Sequence, residues 1–194
     1  MGYRGVLMKS ARRNRLLAAA LLVLAGCLNV SFNVDSKVSL AVDATGTTYH
    51  GTVDVDLSTN GDFRSHKDKV NGVSIEKVAV TVLSIDSGNV GTQLTSGTLS
   101  LRAPGFPSDG SQDVTVGTLS ALVYHDYLVT SAGGGGKVYT MPLGNAQAVD
   151  AFLMNNVVRG TGKFTAVVTA QTDAAPTHIT IQIDFSNSLS YGLL

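Results

Sequence analysis

Four histidines, His50, His66, His125 and His178, are the first residues in this chain that could move a proton or hold a metal. No two of them stand four apart, and no His-Glu-x-x-His spacing occurs. His125-Asp126 and His66-Lys67-Asp68 could donate metal ligands only if the fold brought them together. Isolated surface histidines are therefore the expectation. Asp54 and Asp56 alternate along one strand-like run and so share a face. Calcium needs six to eight oxygens from a wrapping loop, and the EF-hand pattern is absent, so the pair reads as solvated acids. Gly133 to Lys137 approaches a phosphate loop, but Ser131 takes the place of its first glycine. Val138 stands where a magnesium-binding hydroxyl is required. No Gly-x-Ser-x-Gly elbow marks an acyl-transfer serine. Asp62 with Asp68, or Glu76 with a partner, are paired only by closeness in sequence. The chain reads as a non-enzyme with no cofactor and no metal.

The densest charge cluster lies at 60–69, with Asp62, Arg64, His66, Lys67, Asp68 and Lys69. Arg64, His66, Lys67 and Asp68 are the candidate binding residues. Their mixed signs fit a solvated surface equally well. The segment is expected to be a short surface helix or loop, stapled by Phe63 packing inward, that leads to a turn at Asn71-Gly72.

The single cysteine, Cys27, closes a different kind of segment. Arg4, Lys9, Arg12, Arg13 and Arg15 precede the apolar run Leu16 to Ala25, and no acidic residue occurs before Asp35. A basic entrance, a short apolar stretch and a small-residue exit describe a secretory signal. The run is about half the length needed to span a bilayer. Leu24-Ala25-Gly26-Cys27 resembles the lipobox of bacterial lipoproteins. That resemblance implies cleavage between Gly26 and Cys27, diacylglycerol on Cys27, and a domain tethered outside the cytoplasm at the cell membrane or outer membrane. With Leu28 and Asn29 after the cysteine, it favours the outer membrane where a host has two. The expected organisation is a signal at 1–26, a lipidated tether at 27–31 and one β-rich domain at 32–194.

Loss of the leader shifts the charge balance. The whole chain carries 14 basic and 14 acidic residues. Five basic residues leave with the leader, nine remain against all 14 acids, and the mature net charge becomes −5. An acidic domain argues against nucleic acid as a partner and against a polybasic grip on lipid. The expected partners are the membrane, through lipidated Cys27, and an envelope protein. With Cys27 acylated no thiol is left for a disulfide framework.

The elements that must position any site are written in alternation. Phe32, Val34, Val38, Leu40 and Val42 share one face of a run broken at Ser36, and Val53, Val55 and Leu57 share one face of the next. Residues 43–46 read as a hairpin between them. Val73 to Ile85 carries apolar residues on both faces, as in a strand covered on both sides. Strands are also expected over 94–102, 114–124, 164–170 and 179–185. The loop 103–113 and the glycine-rich 131–137 read as flexible. Asn145 looks like a helix N-cap, followed by the stripe Val149, Phe152, Leu153 and Val157, with Arg159-Gly160 as its end. The fold class is all-β and mainly antiparallel: a β-sandwich with one short late helix, or else a small β-barrel. The favoured function is a non-enzymatic, membrane-anchored binding or structural module; the alternative is a carrier that encloses a lipid or other apolar ligand.

Overall fold

A computed structural model describes residues 29–175 and 177–192. The leader, Gly26 and Cys27 lie outside the described residues. Among the described residues nine strands form two sheets: β1 (Asn29–Ala44), β2 (Thr48–Asp56), β3 (Val70–Ile85), β4 (Gln93–Arg102), β5 (Val114–Leu119), β6 (Leu122–Val123), β7 (Tyr139–Thr140), β8 (Lys163–Thr172) and β9 (Thr177–Gly192). The first sheet runs β1-β9-β3-β7, and the second runs β2-β8-β4-β5 with β6 also on β4. All pairings between named strands are antiparallel. The chain is a β-sandwich, and the two sheets stay separate rather than closing into a barrel.

Alternation explains the layers. Ile179, Ile181, Ile183, Phe185, Asn187 and Leu189 of β9 are buried, while the residues alternating with them are half-exposed. Across the sandwich, Phe164, Ala166, Val168 and Ala170 of β8 point the same way. Phe164 meets Phe185 edge to face, with ring centroids 5.5 Å apart. Two inner faces of this kind interdigitate to make one core.

Several sequence expectations change. The segment 43–46 is not a hairpin: β1 pairs with β9 and β2 with β8, so the connection crosses from one sheet to the other. The run 114–124 is not one strand, because it breaks after Leu119 and ends in helix α2 (Tyr124–Tyr127). The apparent two-faced burial of β3 has another cause. Register shifts at Glu76 and Leu83 each reverse the alternation. Val73, Ile75, Val78, Val80, Val82 and Ile85 therefore face Leu189, Asn187, Phe185, Ile183, Ile181 and Ile179 in order. All six lie on one side.

Strand β1 begins at Asn29, within the expected tether. Helix α1 (Gly61–His66) starts at Asn60, whose Oδ1 accepts from the Asp62 and Phe63 amides at 2.9 and 3.1 Å. Phe63 is fully buried, as expected of the staple. Helix α3 (Ala146–Phe152) is capped by Asn145, which accepts from the Ala148 amide. It continues into a wide turn over Leu153–Thr161, and Val149, Phe152, Leu153 and Val157 are all buried. Helical geometry breaks at Gly160, and the chain leaves through Gly162 at φ +81°.

The glycine-rich segment is an ordered wrap around α2. Amides of Gly134, Gly135, Gly136 and Lys137 donate to the carbonyls of Val129, His125, Leu128 and Asp126, at 2.9–3.2 Å. A Cβ on Gly134 would lie 2.3 Å from the Leu128 carbonyl oxygen, and one on Gly135 would lie 2.7 Å from that of Asp126. Glycine serves close backbone approach here, not freedom. Gly134→Ala is expected to cost about 2–3 kcal/mol by overpacking, measured as a lowered urea midpoint at unchanged slope. A loss below about 0.5 kcal/mol would show that the wrap does not hold α2.

Candidate functional site

The four candidate binding residues do not converge. Helix α1 plugs one end of the sandwich, where the His66 ring stacks on Tyr191 at 4.8 Å and lies 5.5 Å from Phe32. His66 Nδ1 donates to the Asp62 carbonyl at 2.9 Å. Lys67 Nζ donates to the Gly160 carbonyl at 2.5 Å, tying α1 to the wide turn. Arg64 and Asp68 are exposed, and among the described residues no ion pair joins the four. Two of these side chains hold the fold together and two face solvent.

The other titratable groups are dispersed in the same way. His50 Nδ1 is 3.2 Å from the Thr169 hydroxyl, and His178 Nδ1 is 2.6 Å from Asp43. Asp54 accepts from Thr165 at 2.7 Å. Asp56 pairs with Lys163 at 3.1 Å and caps the turn after β2, where the Ser58 hydroxyl holds its carboxyl below the usual range. Asp126 is lowered likewise by its hydrogen bond to Lys137. Asp150 shifts the other way: burial raises it, partly offset by the hydrogen bond from the Ile75 amide. Among the described residues no three His, Cys, Asp or Glu side chains gather as a metal site.

Between the sheets lies a cavity of about 20 Å³, lined by Tyr49, Val80, Leu94, Tyr124, Tyr139 and Ile181 among others. It has room for one water molecule. The buried Tyr124 hydroxyl makes no hydrogen bond of good geometry, and the Tyr49 hydroxyl is its polar neighbour. Burial pushes the Tyr49 phenol up to about 12, and that of Tyr124 upward as well, so both stay protonated. An acyl chain needs an order of magnitude more space.

The outer face of the second sheet is an extended polar surface, which the sequence reading did not single out. The register assembles it in rows across β2, β8, β4 and β5. The first row is Thr48, Gln171 and Ser96. The second is His50, Thr169, Thr98 and Thr118. The third is Thr52, Val167, Ser100 and Thr115, and the fourth is Asp54, Thr165 and Arg102. Strands stand about 4.8 Å apart, so hydroxyls repeat at that interval. A shallow groove of about 360 Å³ crosses the first two rows. Within these four rows the fixed charges are Asp54 and Arg102 of the fourth, where Arg102 holds Asp113 through two bonds of 2.7 and 2.8 Å. The groove is uncharged, lined by Thr and Ser side chains and Gln171 together with Gly97, Leu119 and Ala170, and built on backbone-paired strands.

No protein-family model and no curated protein matches this sequence. Among solved structures, Desmodium yellow mottle tymovirus aligns at TM-score 0.31 and 12% identity, covering 85% of this chain and 90% of that one. Tobacco necrosis virus aligns at TM-score 0.34 and 12% identity, covering 84% and 95%. The decameric BFDV capsid protein aligns at TM-score 0.35 and 9% identity, covering 84% and 99%.

Proposed function

We propose that this chain is a non-enzymatic envelope lipoprotein, held at a membrane through acylated Cys27. Its recognition surface is the outer face of the β2-β8-β4-β5 sheet, and its ligand is a neutral envelope glycan. The observation that carries this reading is the groove over Thr48, Gln171, Ser96, Thr169, Thr98 and Thr118, where uncharged hydrogen-bonding groups repeat on a fixed scaffold. A hydroxyl-rich polymer matches that surface without needing charge. The anchor fits the same picture. Strand β1 starts two residues after Cys27, a reach of about 7 Å at most, so the sandwich would ride close to the headgroups. The alternative, a carrier of an apolar ligand, has only the one-water cavity in its favour.

The test is co-sedimentation of the full protein with insoluble envelope glycan from its host. Thr98→Lys with Thr169→Lys is expected to lower the bound fraction about tenfold, the worth of roughly 1.4 kcal/mol of lost contact. Arg64→Glu should leave it unchanged. A wild-type protein that stays in the supernatant, or a lysine variant that sediments like wild type, would overturn the assignment.

A further inference from the structure

We infer that the free edge of β1 is a self-complementary interface for a second copy of this chain. Strand β1 has 16 residues, about 53 Å of backbone, and among the described residues it pairs on one side only, with β9. Long unpaired edges template further pairing unless shortness, proline, bulges or charge prevent it. The other sheet edges are shorter, with two residues in β7, six in β5 and nine in β2. Strand β1 contains no proline, its register against β9 is unbroken, and Lys37 is its one cation.

The sequence of β1 fits its own reverse. In an antiparallel pair centred on Ser36, Asp35 faces Lys37 of the second copy, and Lys37 faces the second copy's Asp35. Val34 then faces Val38, Phe32 faces Leu40, and Asn33 faces Ser39. Core-side residues meet core-side residues, and solvent-side residues meet their like. Outward-pointing amides and carbonyls also meet one another, because the register preserves the strand's alternation. Sliding the pair by two residues either way sets Asp35 against Asp35 or Lys37 against Lys37, and like charges directly opposite are unfavourable. Asp35 is exposed, and the Lys37 side chain is 69% exposed, with only a 3.9 Å approach to Asp184 inside its own chain. The charges are therefore available to a partner. A two-fold axis through Ser36 closes the assembly at two copies and joins two four-stranded sheets into one of eight.

The test is the dimer dissociation constant of the detergent-solubilised full protein, read by sedimentation velocity. Wild type is expected to dimerise at micromolar concentration. Asp35→Lys and Lys37→Asp are each expected to weaken the dimer about tenfold or more, since each sets like charges opposite one another at two places. The double variant restores both pairs and should return to within about threefold of wild type. That rescue separates an interface from a folding defect. Three results would overturn the inference: a monomeric wild type at about 100 µM, single variants that dimerise normally, or a folded double variant that stays dissociated.

Discussion

Phe185→Ala is expected to remove about 3–5 kcal/mol of folding stability, the range for emptying a large aromatic site in a closed core. Phe185 is fully buried in β9, and its edge-to-face partner Phe164 is 1% exposed in β8. These two strands sit between neighbours in their respective sheets, so the ring pair joins the layers at their middle. The cavity between the sheets holds about one water and neither ring lines it, so a deleted ring would open a new void in a packed region. Domains of this size are stable by roughly 5–15 kcal/mol, so the loss would be a substantial share of that. Urea unfolding followed by tyrosine fluorescence is suitable because the chain lacks tryptophan. Phe164→Ala should cost a similar amount, and the double variant should show about 0.5–1.5 kcal/mol of coupling. A loss below about 1.5 kcal/mol from Phe185→Ala would mean that the two sheets are held elsewhere.

Cys27→Ser is expected to abolish acyl incorporation. Cys27 is the chain's one thiol, and a serine hydroxyl lacks the nucleophilic thiolate that a cysteine offers. Since two or more acyl chains anchor stably where one is marginal, the lipid reading makes this residue the whole of the stable membrane hold. No helix among the described residues is long and apolar enough to cross a membrane. Metabolic labelling with a fatty acid checks the point. Wild type should carry the label and Cys27→Ser should fall to background. Equal labelling of the two, or an unlabelled wild type, would contradict the anchor.

Strand and helix positions were largely legible in the sequence because burial imposes periodicity. Ile179 to Phe185 alternates without interruption, and the stripe Val149, Phe152, Leu153 and Val157 all goes into the core. Partner choice was not legible. Residues 43–46 have the composition of a hairpin, yet β9, from the far end of the chain, takes the place beside β1 that a hairpin would give to β2. Period alone misleads at β3, where bulges at Glu76 and Leu83 turn a one-faced strand into an apparently two-faced run. The glycines at 133–136 suggested freedom, whereas close backbone approach demands Gly134 and Gly135, and Gly133 and Gly136 take a positive φ. Most of the groove residues were present as alternating Thr, Ser and Gln, but alternation says only that they face solvent. Their convergence depends on β8 entering between β2 and β4. The candidate cluster at 60–69 drew notice through its charge, and half of it proved to be tied to Tyr191, Asp62 and Gly160.

Native mass spectrometry of the protein extracted gently from its host membranes tests the central claim most directly. The account expects residues 27–194 plus the mass of the acyl groups on Cys27, with nothing held inside the sandwich. A chain that retains residues 1–26, or a folded domain that carries an additional lipid, would contradict it.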